Sequence, residues 1–393
     1  MSFNSEVKLL FTRMDIIVKT PKGVENIVAS QIEEYLRQNN IPGEVVVDLE
    51  RWLGIVFVKG LGDKKYEVAE YIKKEIPEAS HVLVVERLVP ARLQDICEAV
   101  RDLAKNVLGP GETFAIRTTR RGKHDFSSID VNVQAGKAVQ EATGADVDLE
   151  YPDKAFYIEI FDDVAAICVV SREEEYRKMF PGKPIALPIL RKMVIVQMPY
   201  TGPLEACRKM GVRIGRAVQT FEIGELYIAH YKPVTAQELL TFLEGVREGI
   251  ESRYQIQKRS YGRPVHKVPV YVYELYQYVR LHRNEPIIVT DPKGEYIMHV
   301  KDKLAEIFTK YDKVHILVGA REGIPVGIFR FATLVIDLIP QVTIATDYAI
   351  TSTVIAIVSA LEEAGVLEKY ETHYMKKKKA KRQEQQQQRE QNP

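Results

Sequence analysis

Small residues that follow two short apolar runs are the most informative chemical feature of this 393-residue chain. Residues 314–318 (VHILV) lead into a loop with Gly319 and Gly323, and residues 342–344 (VTI) lead into ATDYAIT at 345–351. Short apolar runs bounded by glycine are typical of buried parallel strands. Small residues at strand ends let a ligand approach backbone N–H and C=O groups. Because no GxxxxGK[ST] or GxGxxG sequence is present, the loops suit an uncharged, adenosine-like ligand rather than a phosphate group.

Two arginines on a predicted helix are the second chemical feature. Arg213 and Arg216 form a basic stripe with Lys209 at helical spacing, beside an apolar stripe that would face the core. Gly211 and Gly215 are costly inside a helix, so they indicate either close packing or close approach of a substrate backbone. The arginines either take part in chemistry or decorate an exposed helix face.

A basic block lies nearer the N-terminus, in residues 113–128 (TFAIRTTRRGKHDFSS). Its candidates for phosphate binding are Arg117, Arg120, Arg121, Lys123 and His124. Arginine matches phosphate oxygens with two parallel hydrogen bonds. The alternative is a solvated strand edge whose charges discourage aggregation. Since the net charge is only +1, a nucleic-acid site must come from such a local cluster. The basic run at 376–382 either adds salt-sensitive RNA affinity or only solubilises the chain.

The length predicts two or three domains, which must position these side chains. The predicted N-terminal half consists of an α/β subdomain of ferredoxin-like type at residues 1–75 and a second module at 76–172. A linker at 173–189 connects it to an α/β domain with a mostly parallel sheet at 190–370. The last segment, 371–393, is predicted to be a disordered basic, Gln-rich tail. Strand-like runs in the C-terminal domain are residues 193–197, 225–229, 286–289, 314–318 and 342–344. Helical stretches lie between these runs, so helices are expected on both faces of the sheet.

The three cysteines and the hydropathy pattern indicate the cellular compartment. Cys97, Cys168 and Cys207 form no C-x-x-C pair, which argues against a disulfide framework or a structural zinc site, and we predict no metal. The chain has no run of 18 apolar residues, and its first residues (MSFNSEVKLLFTR) lack the apolar core of a signal peptide. We therefore expect a soluble cytoplasmic protein with no membrane partner.

The basic block belongs to a larger resemblance. FAIRTTRRGKHDFSS, the small-residue helix QAGKAV and VDLEYPDKAFYIEI occur in the order found in a THUMP domain, an RNA-binding module that this region resembles. With the α/β stretch before it, the resemblance covers most of residues 15–170. It implies that residues 76–172 are a THUMP domain and that the basic block contacts RNA.

The C-terminal half resembles SPOUT RNA methyltransferases. In that family the chain forms a deep trefoil knot, and S-adenosylmethionine binds on the knotted loops. RAVQTFEIGELYIA resembles the first motif of the ribose 2′-O branch, in which Arg216 and Phe221 fit the spacing of the arginine and the aromatic residue. Met210 stands where that branch has asparagine. The resemblance implies an archaeal THUMP-containing enzyme with an α/β trefoil-knot SPOUT domain.

The resemblance also implies the site residues. Arg216 and Arg213 would be catalytic, and the cofactor would lie against three loops that follow strands. The expected cofactor-binding residues are Thr290, Asp291, Gly294, Val318, Gly319, Ala320, Gly323, Ile324, Ala345, Thr346, Asp347, Tyr348 and Ile350. Asp291, Glu322 and Asp347 would balance the sulfonium charge, but Asp347 as the N-cap of the last helix is an equal alternative.

The resulting prediction is a tRNA methyltransferase that uses S-adenosylmethionine and forms a homodimer through its C-terminal domain. Its acceptor would be a ribose 2′-OH in or near the acceptor stem, with a base nitrogen as the second choice. Two other classes remain open: a non-catalytic THUMP-containing RNA-binding protein, and a nucleotide-binding α/β protein unrelated to RNA. The zinc signature of base deaminases and the SGGxDS-like loop of thiouridine synthetases are absent.

Overall fold

The computed structural model describes residues 13–391 of the chain, which form two compact units. The first unit contains the chain up to Pro181 and the residues from Glu371 onward, and the second is Gly182–Tyr370. Residues 1–12, where no signal peptide was expected, lie outside the described residues. None of the described helices combines the length and the apolar character that crossing a bilayer requires.

The first unit is built on one mixed sheet. Its strands are β1 (Met14–Lys19), β2 (Glu44–Val46), β3 (Ile55–Lys59), β4 (His81–Pro90), β5 (Thr113–Arg121), β6 (Asp146–Val147), β7 (Lys154–Phe161) and β8 (Val164–Ser171). Its helices before residue 181 are α1 (Glu25–Gln38), α2 (Lys65–Glu75), α3 (Leu93–Val107) and α4 (Ser128–Thr143). The eight strands are ordered β2-β3-β1-β4-β8-β7-β5-β6.

The long strand β4 joins the two predicted modules of this unit. Its first half pairs with β1, as in Val84 with Ile16, and its second half pairs with β8, as in Val85 with Cys168. The predicted subdomain at 1–75 and the module at 76–172 therefore contribute to a single continuous sheet.

The second unit is a parallel sheet covered by helices. Its strands are β9 (Met193–Gln197), β10 (Glu225–His230), β11 (Val270–Glu274), β12 (Ile287–Tyr296), β13 (Val314–Val318) and β14 (Leu334–Asp337). Its helices are α5 (Leu187–Lys192), α6 (Leu204–Phe221), α7 (Ala236–Ser260), α8 (Leu275–Leu281), α9 (Lys301–Lys310) and α10 (Thr346–Glu363). The strand order is β11-β10-β9-β13-β12-β14, and every pair is parallel. The predicted α/β class with a mostly parallel sheet is confirmed.

One predicted strand is wrong. Residues 342–344 lie in a loop, and the sixth strand is β14, Leu334–Asp337, which pairs with β12. Pro340 and Gln341, the latter with a φ of 69°, precede the apolar run and break its extension from β14. The short run at 342–344 therefore turns into the loop before α10.

Helices α6 and α7 are in direct backbone contact. A Cβ atom at Gly211 or Gly215 would overlap a carbonyl oxygen of α7, and one at Gly245 or Gly249 would overlap a carbonyl oxygen of α6. The glycines of α6 thus serve close packing within the chain, which was one of the two alternatives that the sequence left open.

The C-terminal segment differs from the disordered tail that the sequence predicted for residues 371–393. It forms a further helix, α11 (His373–Gln391), in the first unit. Low hydropathy suggested disorder, but lysine, glutamine, glutamate and arginine are all good helix formers. The segment is also anchored, because Thr372 is fully buried and its hydroxyl donates to Asp148 at 3.0 Å.

The helix contact gives a stability prediction. Gly215→Ala should lower the stability of the second unit by about 1–3 kcal/mol, because the added methyl group must push α7 away. Calorimetric melting of the full chain measures this change. Gly136→Ala in α4 is the matched control, since its Cβ would meet only Ile116 at an ordinary 3.9 Å. That change should leave stability equal or higher, and an equal loss in both variants would contradict the packing argument.

Candidate functional site

A cavity of about 270 Å³ lies at the carboxyl edge of the parallel sheet in the second unit. Because β12, β13 and β14 run in the same direction, the loops that follow Thr290, Val318 and Asp337 meet there. Thr346 and Ala349 at the start of α10 line the cavity as well. This edge is where open parallel sheets bind their ligands.

Glycine shapes the loop after β13. A Cβ atom at Gly319 would lie 3.0 Å from the Cα atom of Gly323, so the two ends of this loop touch through their backbones. Gly323 has a φ of 69°, in the left-handed region that glycine adopts without strain. The side chain of Gln197 donates to the carbonyl oxygen of Gly319 at 3.3 Å and supports the loop from β9. The loop therefore presents backbone groups to the cavity.

Besides Arg321 and Glu322, two carboxylates line this cavity. Asp291 follows the regular part of β12, and Asp337 ends β14. Both side chains are about nine-tenths buried. Asp291 accepts from the backbone N–H of Lys293 at 3.0 Å, and Asp337 accepts from that of Ile339 at 3.2 Å. The remaining oxygen capacity suits hydroxyl donors or a positive charge on a ligand.

The structure brings together about half of the predicted cofactor-binding residues. Those that line the cavity are Thr290, Asp291, Val318, Gly319, Ala320, Gly323 and Thr346. Gly294 packs on β14, Ile324 and Ile350 lie in the core, and the side chain of Tyr348 is 64% exposed. Ala345 and Asp347 are outside the lining. Ala345 is the N-cap of α10, so the interpretation of Asp347 as N-cap is wrong.

Sequence reasoning missed the loop between β14 and α10. The lining residues it omitted are Asp337, Leu338, Val342, Thr343 and Ile344. A signal was present, because both β12 and β14 carry an apolar run that ends in aspartate, IIVTD and LVID. The misassigned strand at 342–344 concealed the second of these.

A second cavity of about 310 Å³ adjoins the first at the same edge. The two share Ala320, Arg321 and Glu322 in their linings. The other lining residues are Met198, Pro199, Tyr200, Thr201, His230, Tyr231, Lys232 and Val234. Its position provides room for an acceptor next to the first cavity.

Residues that line the second cavity balance the charge of Glu322. It forms an ion pair with Lys232 and accepts a hydrogen bond from the hydroxyl of Tyr231. The hydrogen bonds from Lys232 and Tyr231 lower the pKa of Glu322. The hydrogen bond between Tyr231 and Glu322 raises the pKa of the tyrosine hydroxyl. Glu322 therefore stays ionised and is balanced by Lys232, as Asp291 is by the Nζ of Lys293 at 3.6 Å.

The two predicted catalytic arginines are oriented differently. Arg213 binds Asp347 with 2.6 Å between Nη1 and Oδ2, which holds its guanidinium at the first turn of α10. Arg216 donates to the hydroxyl of Ser252 on α7 at 3.1 Å. Both side chains lie on the exposed face of α6. Within one chain, only Arg213 is tied to the helix that borders the first cavity.

Two residues of the basic block are held by the protein itself. Arg121 binds Glu159 with 2.7 Å between Nη1 and Oε2, and Glu159 is fully buried. Arg117 donates to the carbonyl oxygen of Leu149 at 2.7 Å and pairs with Glu175 at 3.4 Å. These interactions give both arginines a structural role.

The remaining residues of the block form an exposed turn. Arg120 and Lys123 are exposed, and His124 is half-buried with its Nε2 at 2.5 Å from the carbonyl oxygen of Asp162. Gly122 has a φ of 101°, and a Cβ atom there would crowd the backbone of Asp162. The glycine thus accommodates the neighbouring turn of the protein. Arg120, whose Nη1 lies 3.4 Å from Nδ1 of His124, and Lys123 are the exposed cations of the block.

Comparison with known proteins now assigns the family. The model of the AF2226-like SPOUT RNA methylase fused to THUMP matches residues 187–386, just over half of the 393-residue chain, and the THUMP domain model matches residues 90–170. The chain belongs to the AF2226-like SPOUT RNA methylases fused to THUMP. This SPOUT methylase is therefore an S-adenosylmethionine-dependent RNA methyltransferase, as predicted. The class of nucleotide-binding proteins unrelated to RNA is excluded.

The chain is also similar to individual proteins. Protein MJ0421 of Methanocaldococcus jannaschii, an archaeon, is 40% identical over 349 residues, which are 88% of this methylase and 93% of that protein. The tRNA sulfurtransferase of Escherichia coli is 40% identical over 89 residues, 22% of this chain and 18% of its own length, so only a segment is shared. The crystal structure of PH1313 from Pyrococcus horikoshii has a TM-score of 0.35 at 18% identity, over 77% of this chain and 93% of that one.

The basic block of the SPOUT methylase gives a second prediction. Arg121→Ala should lower the stability of the first unit by about 1–3 kcal/mol, because buried Glu159 then keeps only Lys19 as its cationic partner. Chemical denaturation followed by circular dichroism measures the free energy of unfolding. Arg120→Ala is the control and should change it by less than about 0.5 kcal/mol. If the two variants are equally stable, Arg121 does not hold the fold.

Proposed function

We propose that this methylase acts on tRNA and transfers the methyl group to a ribose 2′-OH in or near the acceptor stem, in the cytoplasm. The observation that carries the proposal is the pair of adjoining cavities at the carboxyl edge of the SPOUT sheet, one acidic and apolar, the other aromatic and basic. A base nitrogen is the alternative acceptor. Met210, which stands where the ribose branch has asparagine, packs against the core and keeps that alternative open.

The first cavity fits S-adenosylmethionine. When bound, this cofactor supplies a methyl group activated by its sulfonium centre. Asp291 and Asp337 would hold its ribose hydroxyls or balance its positive charge, and the backbone of the loop from Gly319 to Gly323 would contact the adenine. Val342 and Ile344 give the ring an apolar wall.

The second cavity fits the acceptor nucleotide. The rings of Tyr200 and Tyr231 can stack on a base, and Lys232 and Arg321 can bind its phosphates. His230 also lines this cavity, and histidine is the side chain that most readily accepts a proton near neutral pH. We therefore assign His230 the role of the base that accepts the proton of the 2′-hydroxyl.

Arg213 and Arg216 would stabilise negative charge on the substrate rather than accept a proton as bases. An arginine side chain stays protonated because its ordinary pKa exceeds about 12. Its guanidinium can grip the phosphate beside the acceptor and stabilise the oxyanion that develops at the 2′-oxygen. The ion pair with Asp347 positions Arg213 for this task near the cofactor cavity.

In a homodimer, Arg216 would lie near the proposed cofactor cavity of the other subunit, as Arg213 does within its own chain. The resemblance to SPOUT proteins implies a dimer through the C-terminal domain, with the site completed across the interface. Tyr348 and Ile355 of α10 are 64% and 54% exposed, whereas Ile350, Val354 and Ile357 of the same helix are buried. An exposed apolar flank on α10 supports a subunit contact there, and Arg216 on the exposed face of α6 could then reach the cavity of the second copy.

The THUMP-containing unit would bind the tRNA through Arg120 and Lys123. The relation to tRNA sulfurtransferase supports tRNA as the RNA class. The basic run of α11 is anchored at the other end of β5, because Tyr374 binds Asp146, which pairs with Thr113, and the backbone N–H of His373 binds Glu150. Exposed lysines at 376–379 are thereby held beside the THUMP fold.

Mass spectrometry of tRNA digests tests the proposal directly. The full-length enzyme is incubated with S-adenosylmethionine and unmodified tRNA, and the digest should contain a 2′-O-methylated nucleoside from the acceptor stem. A methyl group on a base would establish the alternative acceptor. A parallel incubation with ribosomal RNA is the comparison, and methylation of ribosomal RNA with none on tRNA would contradict the proposed substrate.

The catalytic arginines give a kinetic prediction. Arg213→Ala and Arg216→Ala should each lower turnover by roughly 10²–10³-fold, because each removes a cation from the transition state. Calorimetric titration should show S-adenosylmethionine affinity within threefold of wild type. Arg208→Ala is the control, because Arg208 is on the same helix but pairs with Glu248 of α7. Normal turnover in the first two variants would remove the arginines from the mechanism.

RNA binding gives a salt-dependence prediction. The double variant Arg120→Ala, Lys123→Ala should weaken tRNA affinity and reduce the slope of log affinity against log salt by about 1–2, since each phosphate that is no longer bound lowers the slope by about one unit. Filter binding at several salt concentrations measures the slope. Arg101→Ala on α3 is an exposed control that pairs with Asp102. An unchanged slope in the double variant would move the RNA site elsewhere.

A further inference from the structure

We propose that this methylase binds one divalent transition metal ion, of which Zn²⁺ is the best fit, through His282, Glu285 and His315. The three side chains lie at the amino edge of the parallel sheet, opposite the edge that carries both cavities. One potential ligand atom from each lies within 4.8 Å of the others. Two imidazoles and one carboxylate are a ligand set that suits zinc and disfavours calcium or magnesium.

Two of the ligands lie in one turn of the second unit, and the third lies on a strand. His282 caps the end of α8, and Glu285 follows it in a turn closed by a backbone hydrogen bond of 2.9 Å. His315 is the second residue of β13 and is only 2% exposed. The imidazole rings of His282 and His315 pack with their centroids 4.4 Å apart. Little rearrangement is therefore needed, since zinc ligand atoms at bond lengths of roughly 2.0–2.1 Å lie about 3–3.5 Å from one another.

A buried tyrosine completes the arrangement. The hydroxyl of Tyr278 lies 2.6 Å from Nδ1 of His315, and Tyr278 is 1% exposed. Metal-bound histidines characteristically engage their second ring nitrogen in such a hydrogen bond, which fixes the ring and its tautomer. With a metal on Nε2, the proton of the neutral ring resides on Nδ1 and is donated to the tyrosine oxygen. Tyr278 would thus be a positioning residue.

The charged groups around the ligands also bear on cation binding. Lys313 opposes a cation at this edge, but it is paired with Glu225 at 2.5 Å. Glu285 is 47% exposed, which leaves a path and an open coordination position toward solvent.

This proposal departs from the expectation of no metal, which rested on cysteine spacing alone. The competing interpretation is a hydrogen-bonded chain from Tyr278 through His315 to Glu285 that needs no ion. Both arrangements satisfy the same polar atoms, so ion binding decides between them. Methyl transfer is not involved in the test, and failure here would leave the proposed function intact.

The test is a Co²⁺ titration of the full-length protein after treatment with a chelator. We expect one saturable site per chain with visible d–d absorption, and displacement of Co²⁺ by Zn²⁺. His282→Ala and Glu285→Gln should each weaken binding at least tenfold, and both changes are at accessible positions that spare the core. Tyr278→Phe should weaken it by roughly tenfold.

His299→Ala is the matched control, since His299 is an exposed histidine of the same unit outside the cluster. It should leave the titration unchanged. The absence of a saturable site, or binding that survives in both His282→Ala and Glu285→Gln, would overturn the proposal in favour of the hydrogen-bonded chain. Circular dichroism of each variant verifies that the fold is intact wherever metal binding is weakened.

Discussion

The close contact between Gly294 and β14 is the constraint on which the proposed catalytic edge depends. Thr290 and Glu295 of β12 both pair with Ile336, so the four residues between them leave the sheet as a loop. A Cβ atom at Gly294 would lie 2.5 Å from the backbone nitrogen of Ile336, which only glycine avoids. This contact brings the chain after Asp291 back alongside the end of β14. Asp291 is therefore held at the cavity.

The chemistry of the site follows from that geometry. With the β12 loop folded back, Asp291, Asp337 and the loop at Gly319 line the same cavity. The ion pair between Arg213 and Asp347 attaches α6 to the start of α10 at this edge. Asp291 and Asp337 line only the proposed donor site, Lys232 lines only the proposed acceptor site, and Arg321 and Glu322 line both. Such an arrangement suits transfer from a sulfonium to a nucleotide beside its phosphate.

The sequence predicted the parallel core well and the site only in part. Strands β9 and β13 match their predicted bounds because buried parallel strands are uninterrupted apolar runs. Asp337 was missed because β14 is an edge strand whose apolar run is followed by a second one at 342–344. The Arg213–Asp347 pair joins residues 134 positions apart, and no local pattern encodes such a contact. The structural roles of Arg117 and Arg121 likewise depend on distant carboxylates.

The central claim is that the cavity at the carboxyl edge holds the methyl donor. A crystal structure of the full-length protein grown with S-adenosylhomocysteine, the demethylated product, tests it most directly. The account predicts ligand density between Asp291, Asp337 and the loop at Gly319, with the sulfur facing the second cavity. Density for the ligand at any other place on the chain, with this cavity closed or filled by protein, would contradict it.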